Sequence, residues 1–118
     1  MDELLLVDGA NVVGSVPDGW WRDRRGAAER LRDHLAGHTE RTGASVVLVV
    51  EGAARGVESV PGVTVESAPG SGDDHIVAFV ERAEGPVVVV TADRELRRRV
   101  EALGARCVGP RTVWPPGR

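Results

Sequence analysis

The sequence predicts an α/β fold: a single-domain, doubly wound, mainly parallel sheet of about four to five strands with helices on both faces. Three observations predict it. Residues 4–7, 46–50 and 87–90 are apolar at every position and have the length of strands buried on both sides. Segments of helical periodicity separate most of these runs, the alternation expected of parallel strands joined by crossover helices. A chain of 118 residues, 42% of them apolar, fits one domain with a core of its own.

The elements follow in order. Leu4, Leu5, Leu6 and Val7 read as the first strand, ended by Asp8-Gly9, and Pro17-Asp18-Gly19 as a turn. A helix is expected from Trp20 to about Gly37, with Trp21 as its anchor and Ala28, Leu31 and Leu35 on the same face. Gly37 or Gly43 stops it. The run from Val46 to Val50 is a second strand, ended by Glu51-Gly52. Val63, Thr64 and Val65 form a shorter third strand, followed by the turn-forming Pro69-Gly70-Ser71-Gly72. A helix from Asp73 to about Glu84 turns Ile76, Val77, Val80 and Ala83 inward. Pro86 opens the fourth strand. A last helix over 93–103 has Leu96, Val100 and Leu103 inward, with Gly104 where a C-terminal cap belongs. Arg106, Cys107 and Val108 make a fifth, edge strand. The domain is expected over 1–111, with 112–118, including Pro115-Pro116, as a tail.

Composition removes several function classes. All 15 basic residues are arginine. Without lysine there is no Walker A loop and no Schiff-base enzyme, and receiver or haloacid-phosphatase chemistry is disfavoured. A formal charge of −3 argues against a globally basic nucleic-acid-binding domain, while leaving room for a local basic patch. One cysteine, Cys107, makes neither an internal disulfide nor a cysteine zinc site and reads as a small buried hydrophobe. The acidic start and short apolar run are neither a signal peptide nor a membrane span, so a cytoplasmic location is expected. No Gly-x-Gly-x-x-Gly follows the first strand and no Gly-x-Ser-x-Gly elbow occurs, so neither a nucleotide cofactor nor a serine hydrolase is indicated.

Ligands of doubly wound sheets bind at the carboxyl ends of the strands. Those ends carry Asp8, Glu51, the Asp73-Asp74 pair and Asp93. Each has a structural alternative: Asp8 begins a turn, Asp73 or Asp74 complements a helix start, and Asp93 caps the last helix. Their coincidence on one rim is the functional signal. Two carboxylates ~6 Å apart repel by roughly 3 kcal/mol at an effective dielectric near 20, so a cluster calls for a cation or raised pKa values. Hard oxygen donors suit Mg2+ or Mn2+, which activate water and neutralise phosphoryl charge. Arg22, Arg24, Arg25, Arg55 and Arg94 lie near the same rim and suit phosphate contact. Trp20 and Trp21 offer a stacking surface, against the plainer reading that one of them anchors the helix. Arg97, Arg98 and Arg99 read as a solvated face, and His34, His38 and His75 as surface residues.

These residues carry a resemblance. Leu6-Val7-Asp8-Gly9-Ala10-Asn11-Val12-Val13-Gly14 resembles the opening of NYN domains, particularly the YacP-like branch, within the PIN-like nuclease superfamily. Ser71-Gly72-Asp73-Asp74-His75-Ile76 is similar to the central acidic helix start of that family, and Thr91-Ala92-Asp93-Arg94-Glu95-Leu96 to its third acidic motif. The resemblance implies a metal-dependent ribonuclease, of the endoribonuclease kind, that cleaves RNA by metal-activated water and leaves 5′-phosphate and 3′-hydroxyl ends. It implies Asp8, Asp73 and Asp93 as the main metal-binding acids, with Asp74 a close candidate and Glu51 a further ligand or neighbour. Asn11 would orient substrate or water, and Thr91 would hold the acidic loop or a water. Two departures are visible: Glu51 stands where relatives often carry Asp, and Gly72 where they commonly carry Ala. PIN-like domains often pair, which makes a homodimer an expectation, with Trp114 near a candidate interface. The alternative is a non-catalytic RNA-binding or protein-interaction module on the same fold.

Overall fold

The computed structural model describes residues 3–114. Five strands, β1 (Leu4–Asp8), β2 (Ser45–Val50), β3 (Val63–Ser67), β4 (Val87–Val90) and β5 (Arg106–Val108), form one sheet in the order β3-β2-β1-β4-β5. All four pairings are parallel. Four helices, α1 (Gly9–Gly14), α2 (Arg24–Thr42), α3 (Gly72–Arg82) and α4 (Arg94–Glu101), cover the two faces.

The continuous valine runs are explained by period-two alternation between two cores. Val46, Leu48 and Val50 of β2 face α1 and α2, where Val12, Val13, Leu31 and Leu35 are buried. Val47 and Val49 face α3 and α4, packing with Ile76, Val80, Leu96 and Val100. Both faces of every central strand therefore need apolar side chains. The chain steps outward from β1 to β3, crosses back through α3 to β4, and steps outward again to β5. The direction of winding reverses between β1 and β4, the switch point where such sheets open a crevice.

Several boundaries differ from expectation. Asp8-Gly9 does not merely end a strand. Asp8 caps the short helix α1, and Gly9 is required by close approach, because a Cβ there would lie 2.5 Å from the Val49 carbonyl oxygen. The first long helix does not begin at Trp20. Trp20–Arg22 form a single 3-10 turn, and Asp23 then starts α2 by accepting the Gly26 N–H at 2.9 Å. That break resets the helical phase: Trp20 packs on the core, while Trp21 is 51% exposed and does not anchor the helix. α2 runs past Gly37 and stops at Gly43, whose φ of 72° is left-handed. α4 ends at Glu101, so Leu103 falls outside its phase and is exposed.

Packing also continues beyond Thr112. Val113 and Trp114 are buried in the core beneath α2, so Trp114 is a core side chain in the described structure. The expected Pro115-Pro116 tail lies outside the described residues. Among the described residues, no helix is long and apolar enough to cross a membrane.

Candidate active site

The switch point brings the two ends of the sequence motif set together. Val7 pairs with Val90 in register, so Asp8 and Thr91 leave the sheet side by side. The Thr91 hydroxyl donates to Asp8 Oδ2 at 2.9 Å and accepts the Asp93 N–H at 3.1 Å. The Asn11 N–H reaches Asp8 Oδ1 at 3.4 Å, and Asn11 Oδ1 accepts the Ala92 N–H at 2.8 Å. That second bond fixes the orientation of the amide and leaves Nδ2 as its donor. Asp93 caps α4 by accepting the Leu96 N–H at 3.0 Å. Asp93 thus combines the two places foreseen for it, helix cap and strand-end carboxylate, whereas Asp8, expected to begin a turn, caps α1. Thr91 is fully buried, so it positions Asp8 and Asp93 and does not present a surface to substrate.

The rest of the rim comes from β2 and α3. Ser71 caps α3 by accepting the Asp74 N–H at 3.2 Å. Glu51 Oε2 accepts the Gly72 N–H at 3.2 Å. The glycine matters: a Cβ on Gly72 would lie 3.0 Å from Glu51 Oε1. Glutamate at the end of β2 and glycine at the start of α3 therefore fit each other as one local arrangement.

Electrostatics link the five acids, Asp74 the most weakly, through a small upward push on Asp73. Burial pushes the Asp8 carboxyl up to about 6; hydrogen bonds from Thr91 and Asn11 oppose that, and the charges of Asp73 and Glu51 add to it. Asp73 is also raised, by burial first and then by Asp93 and Glu51, with Arg99 opposing. Asp8, Glu51, Asp73 and Asp93 thus share one field. Asp74 is placed differently. Its side chain is largely exposed and pairs with Arg99 at 3.1 Å.

The donor set fits a hard divalent cation in chemistry. It is all oxygen and mutually repulsive. Glu51 Oε1, Asp93 Oδ2 and both oxygens of Asp73 accept no hydrogen bond among the described residues. As the side chains stand, no three His, Cys, Asp or Glu groups among the described residues are close enough to share an ion.

The arginines divide into two sets. Arg25 donates to the carbonyls of Arg55 at 2.9 Å and Gly56 at 3.1 Å. Arg55 in turn donates to those of Ala68 at 2.6 Å, Pro69 at 3.2 Å and Gly70 at 3.3 Å. Arg25 ties α2 to the loop after β2, and Arg55 ties that loop to the one before α3, so both guanidiniums already hold backbone carbonyls. Arg22 and Arg24 instead lie over Trp21 and Trp20, at 5.8 and 5.3 Å from the ring centroids. They and the exposed Arg94 form no ion pair among the described residues. The triple arginine run is not one face. Arg98 pairs with Glu95, Arg99 with Asp74, and Arg97 lies against Cys107. His75 is partly buried and pairs with Glu66 at 2.6 Å, and His34 packs edge-on against Trp114.

The bracing by Arg25 and Arg55 and the Glu51–Gly72 fit carry no signal in the sequence, because a bond to a backbone carbonyl or N–H leaves no residue-type mark at the backbone partner.

No protein-family model matches the chain, and no curated protein matches it. Solved structures do. The crystal structure of Rae1 (YacP) from Bacillus subtilis is 24% identical with a TM-score of 0.78, over 94% of this chain and 70% of that one. The structure of a single-substitution variant of Rae1 (YacP) is 24% identical with a TM-score of 0.74, over 96% of this chain and 72% of that one. Over nearly its whole length, then, this chain is similar in fold to Rae1 (YacP), with the acidic rim at the switch point of the shared sheet.

Proposed function

We propose that the chain is a metal-dependent ribonuclease, acting as an endoribonuclease on RNA at the acidic rim. One observation carries the reading: Asp8, Glu51, Asp73 and Asp93, from four separate segments, share one electrostatic field at the switch point. Such a cluster is costly to hold without a cation, and the fold braces it with Thr91 and Asn11 rather than dispersing it. Glu51, Asp73 and Asp93 would hold Mg2+ or Mn2+ beside Asp8. When bound, the ion supplies acidified water and neutralises phosphoryl charge. Thr91 keeps Asp8 and Asp93 oriented, and Asn11 Nδ2 is a donor for a phosphate oxygen or water. Arg22, Arg24 and Arg94 have guanidiniums available for the flanking phosphates. Arg25 and Arg55 keep the Glu51 and Asp73 loops in register.

A second reading is a non-catalytic RNA-binding module. The observation favouring it is that no three carboxylates converge as the side chains stand. Incubating end-labelled single-stranded RNA and DNA with Mg2+, Mn2+ or EDTA separates the two. The ribonuclease cuts RNA only with metal, and Asp8→Asn and Asp93→Asn each lower the rate by at least about a hundredfold. Undiminished cutting in both variants would sink the metal-site assignment. RNA bound but uncut under all conditions would favour the binding module.

A further inference from the structure

We propose that the cleft between α1, the Trp20 turn and the loop after β2 receives one unpaired nucleobase of the RNA, next to the phosphate held at the rim. The choice of RNA as occupant rests on the ribonuclease reading above; the cleft itself does not depend on catalysis.

The cleft has a volume of about 330 Å3, within the range of small-molecule sites of ~300–1,000 Å3. Its floor is Val13 and Ala54, its wall is Trp20, and Ala10, Arg24 and Glu51 stand around it. Core packing normally leaves few voids larger than water. Here small side chains face one another and the space stays open beside a partly buried tryptophan that the core holds in place.

Three features select the occupant. First, the cleft and the rim are continuous: Glu51 belongs to both, and Gly9, which also lines the cleft, directly follows Asp8. Second, an apolar floor with an aromatic wall suits a flat, weakly hydrated group. Third, Arg24 at the wall and Arg22 close by are cations without ion-pair partners among the described residues. An apolar ligand would leave that charge unmatched, and a bare phosphate would leave the floor uncovered. A nucleotide satisfies both. Arg24 lies over the Trp20 ring, so a base entering the cleft takes the guanidinium's place on that face or stacks on its plane, with the cation left beside the nucleotide's phosphate. A base inside a duplex cannot enter such a cleft without leaving its stack, so the site selects unpaired strands. Two other clefts, about 360 Å3 beside Leu4, Phe79 and Pro86 and about 590 Å3 beside Leu4, Thr39 and Pro61, lie at the amino ends of the strands, and nothing there specifies an occupant.

The probe is a pentanucleotide of abasic riboses with a single 2-aminopurine at its centre, titrated in EDTA so that no cutting occurs. Stacking of the only base quenches its fluorescence. Wild type should bind it with quenching. The Ala10→Leu variant fills the cleft from an exposed position, and Trp20→Leu removes the wall while keeping an apolar side chain; circular dichroism checks both folds. Each should bind about tenfold more weakly, and the fully abasic pentanucleotide should compete about tenfold less well than the base-bearing one. Equal binding of the base-bearing and fully abasic probes by wild type would overturn the proposal. So would an Ala10→Leu protein that binds like wild type. Base-dependent quenching without metal-dependent cleavage would sustain the cleft and overturn only the ribonuclease reading. Cleavage with base-independent binding would do the reverse.

Discussion

Asp8 sits where its own charge is penalised. Its carboxyl titrates near 6 in the fold, against 3.8 for the free side chain. The sign of the consequence follows from proton counting. Between these two values the folded protein holds a proton that the unfolded chain has released, so stability falls as pH rises from near 4 to near 6 and is flat above. The full cost at neutral pH is about 3 kcal/mol. Asp8→Asn, which inactivates the proposed enzyme, should therefore raise Tm at pH 7–8. The gain should shrink toward pH 4, where wild-type Asp8 is protonated. Urea titrations of both proteins across that range measure it, and a pH-independent difference would mean that Asp8 is not held in this way. At this scale the sequence was legible in kind but not in phase. It named the Asp73-Asp74 pair but could not say which member turns inward, since successive helical residues differ by about 100° and the Ser71 cap sets the starting angle. The same applies to Trp20 and Trp21, whose roles depend on the break at Asp23.

Between elements, the contact of β2 with α3 is the most sharply specified. Gly72 leaves the room that the Glu51 carboxylate occupies. Gly72→Ala is compatible with the helical backbone there but displaces Glu51. The expected result is a stability near wild type and a cleavage rate roughly tenfold or more lower. Adding Glu51→Asp should restore much of the rate, because the shorter side chain withdraws from the new methyl group. A double variant no better than the sum of its parts would show that the two positions are not coupled. Strands β1, β2 and β4 were plain in the sequence because burial on both faces demands unbroken apolar runs. α1 was not, because its six residues begin and end in glycine and contain two valines, a composition that local propensity assigns to a turn or strand. Its helix is made by the Asp8 cap and by packing against β2 rather than by its own preference.

For the whole molecule, both the sheet and its acidic rim could be anticipated, since parallel strands with right-handed crossovers leave few arrangements. The closure of the first core could not. Trp114 lies beyond the last strand, in a stretch rich in proline and arginine, yet it is 5% exposed and packs with α2 and β1 neighbours. Trp114→Ala should lower stability by about 3–5 kcal/mol, read as a shift of the urea midpoint with unchanged slope. A midpoint within error of wild type would make the burial of that ring incidental. The pairing of β1 with both β2 and β4 has a kinetic consequence. The first of these five strands is the centre of the sheet, and one of its edges waits for a partner about 80 residues later. Until β4 arrives, Asp8 and Glu51 are in place without Thr91 and Asp93. A half-folded chain therefore carries an acidic rim that is still unassembled, completed only by the most long-range, and so among the slowest, of its pairing steps; the proposed cleavage would be withheld until then.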